Sequence, residues 1–286
     1  MSAVAVVGLG AMGSRIARRL LASGRDVVVW NRTATRATPL VELGATAAAS
    51  PADAAARAGA VLTMVADPAA LAAVTEGADG VAAGAARGTT VIEMSTVGPA
   101  AVARLAAALP DGVHLVDAPV LGSLAEAESG SLVVLAGGDA ALVERWTPLL
   151  ATLGSVRHVG PSGSGAAAKL VANAALFATL GVLGEALALA HGLGLSQEAA
   201  YDVLAATPLA AQAERRRPLI EAGEYPPRFP LALARKDADL VADAAAAAGV
   251  DLRLLAAART WLADADAAGR SGSDYSAVLA TIIRPA

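Results

Sequence analysis

Two lysines are the first residues in this sequence that could carry out chemistry. The chain has 286 residues and 22 lysines and arginines, of which only Lys169 and Lys236 are lysines. Lys169 precedes Asn173 by four residues in an apolar segment, so a helix would place both side chains on one face. A lysine can protonate the alkoxide that develops when a carbonyl is reduced, and its charge stabilises that alkoxide. Lys169 and Asn173 are therefore candidate catalytic residues, the alternative being a structural lysine whose stem covers apolar surface.

A glycine-rich turn near the N-terminus is a candidate binding site. It has the pattern Gly-x-Gly-x-x-Gly, follows the apolar run Val4–Val7 and opens a predicted helix. In that context the first glycine permits a tight turn, the second lets the backbone approach a pyrophosphate, and the third lets helix and strand pack closely. The helix N-terminus adds free N–H groups for the phosphates. The sequence therefore predicts a dinucleotide site formed by Gly8, Leu9, Gly10, Ala11, Met12 and Gly13.

The residues after the second predicted strand indicate which dinucleotide binds. A site that prefers NAD usually has Asp or Glu here, to bind the ribose 2′-hydroxyl. This chain has Asn31, Arg32 and Thr33 instead. A guanidinium can form charge-assisted hydrogen bonds to a 2′-phosphate, and the other two side chains add neutral hydrogen-bonding groups. We therefore predict NADP (NADPH) as the cofactor.

Composition excludes several other kinds of site. Cysteine is absent, which excludes disulfides, thiolate metal sites and cysteine nucleophiles. The three histidines have no metal-ligand spacing, so no metal site is predicted. A net charge of -4 provides no basic field for nucleic acid or an anionic membrane. The longest uncharged apolar run, 170–184, is short for a membrane span, and the N-terminal segment lacks the features of a signal peptide. We expect a cytoplasmic protein with neither membrane nor nucleic-acid partners.

Two different patterns of secondary structure must position these residues. Up to about residue 160, continuous apolar runs alternate with Ala-rich helical stretches, as in a mostly parallel, doubly wound sheet. Gly160–Gly165 is a turn, and after it we find helical stretches and no convincing strand. We therefore predict an α/β protein: a Rossmann-like domain over 1–161, then an all-helical domain over 162–286 that begins with one long helix. The predicted strands are Val4–Val7, Val27–Trp30, Val61–Val65, Thr90–Glu93, Val113–Val116, Leu132–Leu135 and Val156–Val159, and the predicted helices include Gly13–Ser23, Pro51–Arg57, Pro99–Leu109, Asp139–Leu150, 164–192, 196–206, 208–222, 230–248 and 251–268.

Three further motifs complete a recognisable pattern. The first is Asp117-Ala118-Pro119-Val120-Leu121-Gly122-Ser123, which continues to Ala127-Glu128-Ser129-Gly130. In the second, Gly160, Gly163 and Gly165 precede Lys169 and Asn173, and in the third, Phe229-Pro230-Leu231 precedes Lys236-Asp237. Together with the glycine-rich turn and Ser95-Thr96, these motifs resemble the β-hydroxyacid dehydrogenase family over about residues 3–280. The 122–130 segment and Asn31-Arg32-Thr33 are most similar to its glyoxylate/succinic semialdehyde reductase branch.

The resemblance implies roles for individual residues. It implies that Lys169 is the catalytic acid/base, with Asn173 beside it, and that the helical half forms a homodimer. The residues that it places at the cofactor, besides the glycine-rich turn and Asn31-Arg32-Thr33, are Val65, Ala66, Thr96 and Lys236. The residues that it places at the substrate are Ser95, Leu121, Gly122, Ser123 and Asp237.

One position departs from the family pattern. Family members usually have Ser where this chain has Leu121, and that hydroxyl helps to bind the substrate carboxylate. An isobutyl group cannot hydrogen-bond an anion, although Ser123 or Ser95 could take over this contact. The substrate could therefore be bulkier, more apolar or uncharged.

We expect an NADP-dependent oxidoreductase that acts on a small carbonyl or alcohol substrate. An imine reductase is one alternative, which the apolar Leu121 favours and Lys169 disfavours, because those enzymes usually lack this lysine. The other alternative is a non-catalytic NADPH-binding protein, which the intact pair of Lys169 and Asn173 disfavours.

Overall fold

A nine-stranded sheet organises the first part of the chain. The computed structural model describes residues 3–283. The strands are β1 (Val4–Val7), β2 (Val27–Trp30), β3 (Thr46–Ala47), β4 (Ala60–Thr63), β5 (Thr90–Glu93), β6 (His114–Asp117), β7 (Val120–Leu121), β8 (Leu132–Gly137) and β9 (Gly154–Gly160).

The order of the strands confirms the predicted doubly wound topology. The order is β3-β2-β1-β4-β5-β6-β8-β7, and β9 pairs with β8. The strands from β3 to β6 run parallel, while β8 is antiparallel to β6 and β7. The chain winds outward in both directions from β1 and β4. In such a sheet, ligands bind outside the carboxyl ends of the strands where the winding reverses.

Helices cover both faces of this sheet. They also form all of the regular secondary structure between β9 and residue 283. Along β1, Val4 and Val6 pack into one apolar cluster, and Ala5 and Val7 pack into another. Burial on both faces explains why the strands are continuous apolar runs. The helices are α1 (Ala11–Ala22), α2 (Thr38–Val41), α3 (Pro51–Ala56), α4 (Pro68–Thr75), α5 (Val81–Gly84), α6 (Gly98–Ala108), α7 (Leu124–Ser129), α8 (Ala140–Leu150), α9 (Ser164–Gly192), α10 (Gln197–Ala205), α11 (Ala210–Ala222), α12 (Leu231–Ala247), α13 (Arg253–Ala267) and α14 (Val278–Ile282).

The structure corrects several details of the prediction. Strands β3 and β7 were not predicted, because a strand of two residues has no readable periodicity. Strand β4 ends at Thr63, so Val65 lies in the loop that follows and not in the strand. Helices α4 and α7 were also not predicted, although each has a start signal. Asp67 caps α4 by accepting a hydrogen bond from the Ala70 N–H, and α7 begins with a capping box.

The chain divides into two compact units between Leu170 and Val171, within α9. The predicted domain boundary at 161/162 stays a prediction. The second unit is helical, and between Gly160 and residue 283 the only strand-like feature is an isolated bridge between Pro230 and Asp274. By length and composition, α9 could cross a membrane, but 44% of its apolar window is buried inside the protein.

Candidate active site

The ends of five strands form a row across the sheet. Val7 at the end of β1 is in register with Trp30 of β2 on one side and Thr63 of β4 on the other. Thr63 is in register with Glu93 of β5, and Glu93 with Asp117 of β6. The predicted cofactor and substrate segments of this unit follow these strand ends. They therefore lie along one edge of the sheet, where α/β proteins bind their ligands.

The glycine-rich turn fits a pyrophosphate. A Cβ atom at Gly8, whose φ is +99°, would lie 2.3 Å from the Met64 carbonyl oxygen, and one at Gly13 would lie 2.0 Å from the Gly8 carbonyl oxygen. A Cβ atom at Gly10 would meet no protein atom within 4 Å. Packing thus requires the first and third glycines, whereas the second is explained by close approach of a ligand. Gly10 also caps α1 without a side-chain hydrogen bond, and the first turn of α1 has no acidic residue.

Asn31 braces this turn. Its Oδ1 atom accepts a hydrogen bond from the Leu9 N–H at 2.9 Å, and its Nδ2 atom donates to the Thr33 carbonyl at 3.0 Å. Arg32 and Thr33 are exposed. Among residues 3–283, no side chain forms a hydrogen bond or ion pair with the guanidinium of Arg32. This cation therefore lies at the surface beside the turn.

A buried carboxyl group joins the loops that follow β4 and β5. Glu93 is 1% exposed, and its Oε1 atom accepts a hydrogen bond from the Ser95 N–H at 2.5 Å. The Thr63 hydroxyl donates to its Oε2 atom. The Ser95 hydroxyl in turn accepts a hydrogen bond from the Val65 N–H at 2.8 Å. Two predicted site residues, Ser95 and Val65, are thus bonded directly, and Ser95 is held by Glu93, which was not predicted as a site residue.

The neighbouring carboxylate of Asp117 holds the start of α9. Its Oδ1 atom accepts a hydrogen bond from the Gly163 N–H, and its Oδ2 atom accepts one from the Ala166 N–H, each at 2.7 Å. The helix also approaches closely, because a Cβ atom at Gly165 would lie 2.4 Å from the carbonyl oxygens of Asp117 and Leu135. The side chain of Asp117 is therefore a helix cap.

Burial and these contacts act on the pKa values of the two carboxyl groups, Glu93 and Asp117. Burial raises the pKa of Glu93 to about 7, against the opposing effect of hydrogen bonds from Ser95 and Thr63. The nearby Asp117 carboxylate raises the pKa of Glu93 further. Burial also raises the pKa of Asp117, but several backbone N–H groups at the start of α9 act against this rise. The pKa of both adjacent groups is therefore raised by burial, and the backbone N–H groups at the start of α9 favour the charged form of Asp117.

Lys169 is anchored beside the predicted substrate segment. It is half-buried in the second turn of α9, and its Nζ atom donates a hydrogen bond to the Val120 carbonyl at 2.9 Å. Leu121, which follows Val120 in β7, is also half-buried. The backbone N–H of Ser123 donates to the Glu126 carboxylate at 2.8 Å, which starts α7. Leu121 and Lys169 are thus brought close together by the backbone of β7.

Three further predicted residues are brought together in the second unit. Asn173 lies one turn beyond Lys169 on α9, and its Nδ2 atom donates a hydrogen bond to Asp237 Oδ2 at 2.8 Å. Lys236 forms an ion pair with Asp237 Oδ1 at 2.5 Å. Asn173 is 2% exposed and Asp237 is 3% exposed. A buried carboxylate on α12 therefore fixes the amide of Asn173.

The remaining predicted residues lie at the edge of the sheet. Ala66 is exposed and Thr96 is half-buried. Val97, and not Thr96, caps α6, so helix capping does not explain Thr96. One sequence signal could have identified Glu93. Like Asp117, it is a carboxylate at the end of a continuous apolar run.

The fold and the glycine-rich turn define a dinucleotide-binding α/β protein. Residues 3–160 match the model of the NAD binding domain of 6-phosphogluconate dehydrogenase. Residues 163–282 match the model described as NAD-binding of NADP-dependent 3-hydroxyisobutyrate dehydrogenase.

Individual proteins are similar over nearly their whole length. The 3-sulfolactaldehyde reductase of Escherichia coli is 36% identical over 98% of this chain and 95% of its own. Glyoxylate/succinic semialdehyde reductase 1 of Arabidopsis thaliana is 33% identical over 98% of each chain. The structure of Mycobacterium tuberculosis 3-hydroxyisobutyrate dehydrogenase with L-serine has a TM-score of 0.87 and 28% identity, and the match covers 99% of this chain and 100% of that one. The chain therefore belongs to the β-hydroxyacid dehydrogenase family, as its motifs predicted.

The imine reductases share the fold at a greater distance. The enzyme from Myxococcus stipitatus has a TM-score of 0.69 and 21% identity, with 99% of this chain covered. At this identity the likeness concerns the fold alone.

Proposed function

We propose that this protein is an NADP-dependent reductase of small aldehydes or keto acids, with Lys169 as the catalytic acid/base. Family membership makes it an oxidoreductase that acts on CH–OH or carbonyl groups with a nicotinamide cofactor. The observation that carries the proposal is the hydrogen bond from Lys169 Nζ to the Val120 carbonyl. It holds an ammonium group beside the segment predicted to bind the substrate.

The chain's own residues handle the proton. When bound, the cofactor supplies or accepts the hydride. In the direction of reduction, Lys169 donates a proton to the substrate oxygen, and its charge stabilises the developing alkoxide. In the direction of oxidation, the neutral lysine takes the proton of the alcohol. The Val120 carbonyl fixes the ammonium group, so little reorganisation accompanies the transfer.

Asn173 orients the reacting groups from the next turn of the same helix. One N–H of its amide donates to Asp237, which fixes the amide and leaves its oxygen to act as an acceptor. Asp237 is held in turn by Lys236. A fixed acceptor one turn from Lys169 is suited to orienting either the ammonium group or a substrate hydroxyl.

Arg32 supports NADP over NAD. The position after β2 where an NAD site has a carboxylate is occupied by Asn31, whose amide is bonded to the Leu9 N–H. The exposed guanidinium of Arg32 follows directly, and it can bind a 2′-phosphate with charge-assisted hydrogen bonds.

The names of the relatives support the substrate class. Those from Escherichia coli and Arabidopsis thaliana are reductases of 3-sulfolactaldehyde and of glyoxylate and succinic semialdehyde. We assign a small aldehyde or keto acid to this chain, and Leu121 biases the choice toward substrates with an apolar group beside the carbonyl.

A substrate screen tests this function. Purified wild-type protein and Lys169→Met are given NADPH with aldehydes, keto acids and cyclic imines, and absorbance at the NADPH band is followed. We expect carbonyl-dependent oxidation by the wild type and its loss in the variant. Oxidation with imines only would identify an imine reductase, and tight NADPH binding without turnover would identify a non-catalytic binding protein.

We also propose that the protein is a cytoplasmic homodimer whose interface includes α9. Phe177 and Leu180 on this helix are buried, whereas Val171 is 72% exposed, Leu189 is 64% exposed, and Leu193 just beyond the helix is 69% exposed. One chain leaves these apolar side chains uncovered, and we assign their cover to a second subunit and not to lipid. Light scattering of the soluble protein should show a dimer at micromolar concentration. A stable monomer, or recovery only from membranes, would contradict this assignment.

A further inference from the structure

Glu93 lies between two segments that are predicted to contact the cofactor. Its carboxyl group accepts hydrogen bonds from the Ser95 N–H and the Thr63 hydroxyl. Through the Ser95 hydroxyl, the same chain of contacts reaches the Val65 N–H. The loop after β5 is thereby tied to the loop after β4.

Filling space in the sheet does not explain a carboxyl group at this position. A buried carboxyl group is costly, and an apolar side chain of similar volume would fill the same space at lower cost. Thr90, at the other end of β5, has a buried hydroxyl that finds no hydrogen-bond partner among residues 3–283, so this strand folds with an unsatisfied polar atom. Glu93 differs because its oxygens take donors from outside its own strand. The contacts with the loop are therefore the reason for the carboxyl group.

These contacts do not require a negative charge. Burial and the adjacent Asp117 carboxylate favour the protonated form of Glu93, whose pKa lies near 7. A protonated carboxyl group can still accept from the Ser95 N–H, and its own proton can go to the Thr63 hydroxyl, which also accepts. A glutamine has the same shape and the same pair of donor and acceptor functions.

We propose that Glu93 is a positioning residue. It holds the Ser95–Thr96 segment against the Val65–Ala66 segment and so fixes the shape of the cofactor site. The proposal rests on the proposed function, because it takes NADPH as the cofactor, to which the family resemblance assigns Val65, Ala66 and Thr96. Glu93 itself is buried and acts through Ser95. Its loss should loosen both segments without unfolding the sheet.

Three substitutions and a matched control separate positioning from packing. Glu93→Met keeps the length and apolar volume but leaves the Ser95 N–H without its acceptor, whereas Glu93→Gln keeps the hydrogen bonds. Ser95→Ala keeps the backbone N–H that bonds to Glu93 but removes the hydroxyl that accepts from the Val65 N–H and also bonds to Glu93. Thr90→Val is the matched control, because it removes a buried polar atom from the same strand without touching either loop.

Hydrogen exchange of the cofactor-free protein measures the positioning directly. We expect Glu93→Met to speed exchange at the amides of Ser95 and Val65 about tenfold each, the effect of one lost buried hydrogen bond. Ser95→Ala should speed exchange at Val65 only, and Glu93→Gln and Thr90→Val should match the wild type within about twofold. Unchanged exchange in Glu93→Met would overturn the proposal. If Glu93→Met does not fold, an unchanged exchange rate of the Val65 amide in Ser95→Ala would overturn the proposal instead.

Titration with NADPH measures the consequence for binding. We expect Glu93→Met to raise the dissociation constant about tenfold while the unfolding temperature holds, and Glu93→Gln to restore wild-type affinity. A lower unfolding temperature with unchanged affinity would make Glu93 purely structural and overturn the proposal. A wild type that binds neither NADPH nor NADH would instead refute the proposed function, while the exchange experiment would still decide the positioning.

Discussion

The two units of the chain position their site residues in different ways. In the first unit, side chains bond to main-chain atoms at the ends of strands. Asn31, Glu93 and Asp117 accept from backbone N–H groups, and Lys169 donates to a backbone carbonyl. In the second unit, side chains on different helices bond to each other, as in the group formed by Asn173, Asp237 and Lys236.

The difference determines what a substitution does. A main-chain carbonyl or N–H that loses a side-chain partner leaves one hydrogen bond unmade but no uncompensated charge, so the fold tolerates the change better. A buried carboxylate that loses a side-chain partner has a desolvated charge that is less well compensated, and stability falls. Function and stability should therefore separate in the first unit and fall together in the second.

The two lysines give the sharpest form of this contrast and the largest expected effect. Lys169→Met should lower turnover roughly 10²–10⁴-fold, the range for loss of a positioned acid. NADPH affinity should hold, because the glycine-rich turn and Arg32 are assigned to the phosphates, and the unfolding temperature should hold, because methionine keeps the apolar stem without a charge to solvate.

Lys236→Met is the matched variant in the second unit. It removes an ion-pair partner of the buried Asp237, so we expect a loss of about 1–3 kcal/mol in the free energy of unfolding, together with weaker cofactor binding. Kinetics, NADPH titration and urea unfolding of both variants check the contrast. A stability loss in Lys169→Met with unchanged turnover would reverse the roles of the two lysines.

The pH dependence of the free energy of unfolding should show the titration of Glu93. Its pKa is raised from 4.5 to about 7, so between these values the folded protein holds a proton that the unfolded chain has released. Its contribution to the free energy of unfolding is therefore complete below pH 4.5 and is lost as the pH rises through 7, by about 3 kcal/mol in all.

Glu93→Gln removes this proton equilibrium. The variant and the wild type should have similar stability at pH 5, and the variant should be more stable at pH 8. Urea unfolding across this range measures the difference in the free energy of unfolding between the two proteins. The titration of all other groups cancels in this difference. Parallel stability curves for the two proteins would show that Glu93 does not titrate in this window.

The same contrast explains how much of each unit could be predicted from the sequence. Strands β1, β2, β4 and β5 were predictable because burial on both faces gives continuous apolar runs, and the turn at Gly8 was predictable because backbone geometry restricts it to a local pattern. The bond between Asn173 and Asp237 joins residues 64 positions apart, and no local pattern encodes it. Asp237 was identified only through the family resemblance, whereas the spacing of Asn173 from Lys169 is a local signal. The contact from Glu93 to Ser95 is local, but a glutamate that ends a strand gives no sign of the direction in which its carboxyl group turns.

Arg32 should affect cofactor choice by an intermediate amount. Arg32→Ala removes charge-assisted hydrogen bonds to the 2′-phosphate, worth about 1.5–3 kcal/mol, so the KM for NADPH should rise roughly 10–100-fold. The KM for NADH should barely change, because NADH lacks that phosphate. Arg18→Ala, which removes an exposed arginine from α1, is the control and should leave both values unchanged. If the wild-type protein already prefers NADH, the assignment of Asn31, Arg32 and Thr33 to a 2′-phosphate site is wrong.

The smallest expected effect is a change of preference at Leu121, where the first unit departs from its family. The Val120 carbonyl accepts the hydrogen bond of Lys169, the proposed proton donor, and Leu121 is the next residue along β7. Leu121→Ser introduces a hydroxyl that can donate to a carboxylate, and one such bond to a charged group is worth about 1.5–3 kcal/mol before the lost apolar contact is subtracted. We therefore expect kcat/KM to rise about tenfold for small keto acids and semialdehyde acids and to fall for apolar aldehydes. The ratio of the two efficiencies is its own control, since a general disturbance of Lys169 would lower both together. A ratio that stays at the wild-type value would mean that Leu121 does not line the substrate site, and the departure from the family pattern would then have no bearing on substrate choice.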